Sequence, residues 1–419
     1  MTENDYYRIP EDVNEIAEGT YAGDKSLRHI DLRNVRYIGA HAFQDCSNLE
    51  SVIMDHTTAI GPRAFEFCRS LRSVTFGEIR EIGEEAFSHC SMLDIPEIPR
   101  TLTSAGAGAF AYTALRRADL DWFDAVPAAL FRCCVSMESA DIRGAREIGE
   151  DAFVGCEALT EVKFGPVEKI GARAFQKCDA LEFTALPDTL QVLGDDALAN
   201  TRSGLVIPKS VTHIGRNCLG PVDRKKNIRL YRSALYEFRN YFREDRMDPE
   251  EEDHFYLWES SIDVTVLDDV TDEASGFLPL YSDLNYNLRR TLTGAFKPGN
   301  IFEYEVLDSD FFRGMGWNQR CRDRLAVQRL KHPYGLTETA REEYSVYLGK
   351  HMKRITQRAV KDRDIDMLSF LCESGLIGQD NITGVIDYSI ALPAPECTAF
   401  LLERQAEMNW HNDPLMDEL

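Results

Sequence analysis

"IGAHAFQDCSNLESVIM" runs from Ile38 to Met54, and "IGPRAFEFCRSLRSVTF" repeats it from Ile60, 22 residues later. A fixed period of this length marks a repeat architecture, so it governs how every other motif is read. The Ile-Gly pair returns at Ile82-Gly83, Ile148-Gly149 and Ile170-Gly171. Looser versions at Ile16-Ala17, Ala105-Gly106, Val126-Pro127, Leu193-Gly194 and Ile214-Gly215 bring the count to ten turns. Five residues after each Ile position comes a ring or a large aliphatic: Tyr21, Phe43, Phe65, Phe87, Phe110, Phe131, Phe153 and Phe175, then Leu198 and Leu219.

The second half of the phrase, as in "LRSVTF" from Leu71, alternates inward and outward with strand period, while "GARAFQKC" compresses Ala, Phe and Cys into helix-like spacing. The spacing predicts an α/β solenoid: a right-handed coil of short parallel strands, each followed by a turn and a short helical segment. The Gly after Ile suits a bend where a Cβ would be in the way. One turn cannot bury its own Leu, Val and Phe, so neighbours must stack.

The stretches "IGARAFQKCDALEFTALPDTLQVLG" and "VIPKSVTHIG" resemble the BspA-type (treponemal-type) leucine-rich repeat, whose pattern runs through Ile-Gly, Ala-Phe, Cys, Leu and a Pro before the next turn. The resemblance covers about Ile9 to Leu230. It implies a bacterial leucine-rich repeat protein that acts by binding other macromolecules, in a family with many members displayed on cell surfaces.

At 419 residues the chain is expected to form two or three units. Its 70 acidic residues against 47 basic ones give a net charge of -23. Nucleic acid and anionic membrane are bound through Lys and Arg, so neither is an expected partner. "MTENDYYRIPEDVNEIAEG" lacks a basic segment followed by an apolar run, and no apolar stretch approaches the length of a membrane span. The expected location is cytoplasmic.

Of the eleven cysteines, Cys46, Cys68, Cys90, Cys133, Cys156, Cys178 and Cys218 lie at or near one phase of the repeat and are expected to stack as a buried column. Thr113 and Thr201 take that place in other turns, which a metal ligand could not tolerate. Of the adjacent Cys133 and Cys134, one is expected to point outward.

The domain reading is a solenoid over residues 1–235, a linker and small α+β region over 236–316, and a helical domain over 317–419. In the middle region, "SIDVTVLDDV" and "NIFEYEVLD" alternate like strands, with "LPLYSDLNYNLRRTL" between them. Helices are expected from Asn318, with Cys321, Leu325, Ala326 and Leu330 on one face, and again from Thr337 as N-cap, with Tyr344, Tyr347, Leu348 and Met352 on a stripe. "DMLSFLCES" from Asp366 and "ECTAFLLER" from Glu396 align at a 30-residue offset and resemble a pair of ankyrin-like helical hairpins, without the Thr-Pro-Leu-His signature.

The nine histidines have no spacing that would place two ligands on one helix face, and there is no phosphate loop or nucleophile elbow. No catalytic, cofactor or metal site is expected. The leading functional expectation is a non-enzymatic interaction or scaffold protein that binds a protein partner. The alternatives are an adhesin-like protein exported without a recognisable signal, and an enzyme whose site hides in 255–350, where Asp268, Asp269, Asp308 and Asp310 form two acidic clusters. The candidate binding face follows from the strand alternation: Asp31, Ile53, Thr75, Glu97, Asp119, Asp141 and Lys163 should form an outward ladder spanning roughly 43 Å over ten turns. Asp119, Asp121 and Asp141, flanked by Arg117 and Arg143, would concentrate negative charge for a partner bearing basic residues.

Overall fold

The computed structural model describes residues 6–182, 185–202, 205–219, 226–231, 261–267, 274–281, 296–297, 301–314 and 319–410, together with Phe238, Ala295 and Trp317. The repeats form a β-solenoid of about ten turns of roughly 22 residues, and a helical region follows. Because each turn returns the chain to the same side, strands pair in parallel with their copies one period on, in sheets that break once along the solenoid. Ser51 faces Ser73, and Ile38 faces Ile60.

The Ile of each Ile-Gly pair, or the residue in its place, ends a two-residue strand, from Glu15–Ile16 to His213–Ile214. These ten strands form two five-stranded parallel sheets. The following Gly allows the turns to close on one another. A Cβ built on Gly171 would sit 2.7 Å from the Glu150 amide nitrogen and 2.8 Å from the Gly149 carbonyl carbon, inside van der Waals contact with the preceding turn's backbone. Ala17 and Pro127 stand at this position in the other two turns.

Between the two sets of strands, the "GARAFQKC" segment differs from the helical expectation. It forms consecutive tight turns. Ala42, Gln44 and Cys46 donate their amides three residues back within their own turn, to Gly39, His41 and Phe43, while the intervening His41, Phe43 and Asp45 donate to Pro62, Ala64 and Glu66 of the next turn. The cause lies in two left-handed residues per turn, such as His41 (φ 56°) and Asp45 (φ 58°). They redirect every second amide outward, and no helical i→i−4 ladder can run through them. Inside this corner the rings form one continuous column from Tyr21 to Phe175. Successive centroids are 5.0–6.1 Å apart and the planes lie within 27° of parallel.

The other strand set is interrupted. Tyr7–Arg8, His29–Asp31, Ser51–Met54 and Ser73–Phe76 form one parallel sheet, and Arg117–Asp119, Ser139–Ile142 and Glu161–Phe164 form another. Between them "DIPEIPR" makes no strand, so the expected unbroken ladder becomes two shorter ones, with Glu97 outside both. Pro96 and Pro99 carry no N–H to donate to a neighbouring strand. The turn is also one residue longer than the one before it, with Ser104 paired to Glu81, 23 positions back. Ile95 and Ile98 still fill the core.

A further sheet runs past the expected solenoid boundary at residue 235. Leu205–Ile207 pairs in parallel with Lys226–Tyr231, which pairs in parallel with Ser261–Leu267, and antiparallel Ala274–Tyr281 follows. The segment "LPLY", read as a separator, belongs to that last strand. "NIFEYEVLD" gives only the short strand Ile301–Phe302 before a helix begins. The chain divides into two compact units: Met1–Ser282 with Phe296–Phe302, and Asp283–Ala295 with Glu303–Leu419.

The second unit contains α1 (Tyr304–Phe312), α2 (Gln319–Lys331), α3 (Glu338–Lys361), α4 (Ile365–Glu373), α5 (Ile382–Ala391) and α6 (Pro395–Trp410). Thr337 caps α3 by accepting the Ala340 amide at 3.2 Å. Asp308 of α1 accepts two hydrogen bonds from Arg329 of α2, both at 2.8 Å, and one from the Tyr344 hydroxyl of α3, also at 2.8 Å. The α3–α4 and α5–α6 turns share one hydrogen bond at the 30-residue offset: Asp364 N to Ala359 O and Ala394 N to Ser389 O.

Gly171→Ala should cost about 1–3 kcal/mol or more through backbone overlap. Phe153→Ala should cost about 3–5 kcal/mol, and Tyr21→Ala, at the end of the column, less. Chemical denaturation of the three variants checks the order. Burial lowers the His332 imidazole from 6.5 to about 4, helped by Lys331. An unfolded chain therefore takes up that proton first. The group's contribution is complete above pH 6.5 and is lost as pH falls towards 4, on the order of 1–2 kcal/mol. Denaturation at pH 7.5 and 4.5 should show a shallower loss in His332→Gln.

Candidate interaction face

On the first strand sheet Asp31, Ile53 and Thr75 stand in register, with Arg8 beside Asp31. Arg8 Nε lies 3.8 Å from Asp31 Oδ2, and His29 Nδ1 is 2.9 Å from Ser51 Oγ. On the second sheet Arg117 faces Ser139 and then Glu161, while Asp119 faces Asp141 and then Lys163. Ala118, Ala140 and Ile142 point inward and are buried, whereas Arg117, Asp119, Glu161 and Lys163 are exposed. The alternation read from the sequence thus places six of the seven ladder residues on strands, in two groups of three.

The expected concentration of negative charge is largely offset from within. Arg143 clamps Asp141 through Nε at 2.9 Å and Nη2 at 2.8 Å, and lies 4.0 Å from Asp121. The Arg143 hydrogen bonds hold the Asp141 carboxyl below its usual range. Arg100 reaches Asp121 at 2.9 Å and lies over the Trp122 ring, 4.8 Å from its centroid. Trp122 in turn donates Nε1–H to the Leu102 carbonyl at 2.8 Å. Sequence reasoning missed Arg100 and Trp122, although they are 22 residues apart and the period itself would have set them side by side. Arg117 and Asp119 follow one another along one outer strand and Glu161 and Lys163, in the opposite order of sign, along the other, so the face carries mixed charge.

The cysteine column has one correction. Cys134, three residues after Phe131, is the buried member in its turn, and Cys133 is half-buried at φ 55°. The column is also more polar than expected. Cys68 Sγ donates to the Phe43 carbonyl at 3.1 Å and Cys156 Sγ to that of Phe131 at 3.2 Å. Thr113 donates to its own turn's Phe110 carbonyl at 2.8 Å, which explains how a hydroxyl substitutes there. Burial pushes the Cys134 thiol up to about 11. The acidic clusters proposed for a metal do not converge among the described residues. Asp308 is taken up by Arg329 and Tyr344, Asp310 lies 3.9 Å from Arg313, and Asp268 and Asp269 fall outside the described residues. No helix among the described residues is long and apolar enough to cross a membrane.

Ten stacked turns, eight of them with a glycine at the corner, a ring column and an outward strand face define a leucine-rich repeat solenoid. The chain belongs to the BspA-type leucine-rich repeat family, whose profile matches residues 3–116 and 124–242 in six copies. No curated protein shows significant similarity to the chain. Among solved structures, it is similar to a leucine-rich repeat protein from Bacteroides ovatus (24% identity, 56% of this chain and 74% of that one, TM-score 0.38). It is also similar to the T. pallidum leucine-rich repeat protein (26% identity, 42% and 77%, TM-score 0.32). A leucine-rich cell surface protein from Faecalibacterium prausnitzii matches at 20% identity over 54% and 87%, with a TM-score of 0.24.

Cys133 should react with a thiol reagent well before Cys46, Cys68, Cys134, Cys156 and Cys178 in the native protein, as followed by mass spectrometry after short exposure. Cys156→Ser keeps a donor for the Phe131 carbonyl and should cost only about 1 kcal/mol.

Proposed function

We propose that the chain is a non-enzymatic protein-interaction module that docks its partner on the outward strand face, centred on Arg117–Asp119, Ser139–Ile142 and Glu161–Phe164. The observation that carries this reading is the register of that sheet. Buried Ala118, Ala140 and Ile142 anchor it from beneath, and exposed Arg117, Asp119, Glu161 and Lys163 are held in a fixed array of alternating sign. Such an array selects through complementarity, acting on encounter rate and on the rejection of wrong partners more than on total affinity. Trp122 and Arg100 add the residue types that dominate binding energy at protein interfaces. The partner presents a basic side chain to Asp119 and an acidic one to Lys163.

The helical hairpins, read as ankyrin-like, serve in this scheme as a second docking or oligomerising module. Ten of the eleven cysteines are free thiols, which supports a reducing, cytoplasmic location. Family membership supports interaction as the general mode of action.

The test is capture of partners by the full chain and by the charge-swapped variant Asp119→Lys with Lys163→Glu, followed by binding measurements at two salt concentrations. The variant should fold normally and bind the wild-type partner about tenfold more weakly at low salt, with a smaller difference at high salt. Equal binding by both proteins would move the site off this face.

A further inference from the structure

The α5–α6 hairpin packs on α3 and α4 through one side. Cys397 Sγ of α6 lies 3.9 Å from the Val360 carbonyl of α3. Burial pushes the Cys372 thiol of α4 up to about 11, and the Arg404 charge on α6 pulls against it. Val360 and Cys372 are accordingly covered, at 0% and 9% exposed. The residues 30 positions on, Ile390 and Leu402, stand at 61% and 49%. Positions that form a closed contact in α3 and α4 are open in α5 and α6.

Helical spacing gathers the uncovered residues on one face. Cys397 and Arg404 mark the side of α6 turned to α3 and α4. Ala399, Leu402 and Ala406 each stand two residues from one of them, about 200° round the helix, and all three are exposed. Gln405 donates to Thr383 at 3.0 Å, and the Ser389 and Thr398 hydroxyls are 2.8 Å apart, which holds α5 alongside and brings Ile390 to the border of the same face. Around it stand Asp387, Glu396 and Glu403, exposed carboxylates that pair with no described cation. The only Lys or Arg in residues 382–410 is Arg404, which is engaged by Glu407 at 2.7 Å and by the Phe400 ring.

We propose that this face binds an amphipathic helix of another protein, one that lays large aliphatic side chains over Ile390 and Leu402 and sets Lys or Arg opposite Asp387, Glu396 and Glu403. Apolar residues at helical spacing are what such a helix docks on, and a rim of one sign selects its flanks. A second copy of this chain fits worse. Packed face to face, it sets the three carboxylates against their own copies in a chain already at -23. Nor does it have the opposite side of α3 to offer. Arg358, two residues from Val360 and so on the far side of α3, donates to Asp323 of α2 at 3.3 Å, and Arg354 donates to the same carboxylate at 2.6 Å. The proposal rests on the reading of the hairpins as a docking module, names its surface and partner, and does not depend on the strand face.

Selection with the full-length protein from a displayed library of amphipathic helices, each of about five turns, tests this. Leu and Ala are fixed on one face of each peptide, and the flanking positions are drawn from Lys, Arg, Glu, Asp and Gln. The recovered peptides should carry an excess of Lys and Arg. Their affinity, read by fluorescence anisotropy, should fall about tenfold in Ile390→Asn with Leu402→Asn. It should fall about threefold in Asp387→Asn with Glu403→Gln, at low salt only. Asp119→Lys with Lys163→Glu should bind the peptides as wild type does, which separates this face from the strand face. The proposal is overturned if no peptide is recovered, if the recovered peptides are acidic, or if they bind Ile390→Asn with Leu402→Asn as tightly as wild type. Sedimentation showing a wild-type dimer that the same pair of changes dissolves would also overturn it, by assigning the face to a second copy.

Discussion

The contact between successive backbones at the Ile-Gly corner constrains everything else in the solenoid. Where Gly149 and Gly171 lie against the turn before them, the approach leaves no space for even a methyl group. That closeness sets the spacing at which Phe153 can stack on Phe175 at 5.2 Å and at which His41, Phe43 and Asp45 can reach carbonyls one turn ahead. Rings, amides and thiols are thus all read out at one pitch. The core is a set of columns, each made largely of one residue type, and each turn's stability depends on the turns on either side of it.

The helical unit solves the same problem by other means. It has no common pitch, and part of its interior is polar: Arg329, Asp308 and Tyr344 are buried together and satisfy one another, with burial and Asp308 both pushing the Tyr344 hydroxyl up. Buried ion pairs of this kind bring little net stability, because desolvation offsets attraction, but each partner makes the other's position unique. The solenoid obtains its uniqueness from repetition, and the helical unit obtains it from charges that fit only one way.

Much of the solenoid was legible because its rules are periodic. The Ile-Gly strands, the ring column and the strand-face register could each be counted at 22 residues. The sequence misled where the same spacing suits two backbones. Ala, Phe and Cys in "GARAFQKC" recur as they would on a helix, and only the left-handed residues reveal stacked turns. Several of these, such as Arg173 and Lys177, are not residue types that signal φ > 0. Glu97 was assigned by phase, and its two flanking prolines were the overlooked cue. Counting three residues on from Phe131 leads to Cys134, the buried member, and not to Cys133. Of the face, the register was readable, but the neutralising role of Arg143 and Arg100 was not, since it depends on how long side chains lie across strands.

The corner without a glycine inside the solenoid divides it. At eight of the nine later corners a glycine lets the backbone behind it come close, and Pro127 stands at the remaining one. There the corner sheet stops: Ser104–Ala105 ends one sheet and Ala125–Val126 begins another. The ring column runs on across the gap, with Phe110 and Phe131 stacked at 6.1 Å. A single residue makes two sheets of one and leaves the core between them whole.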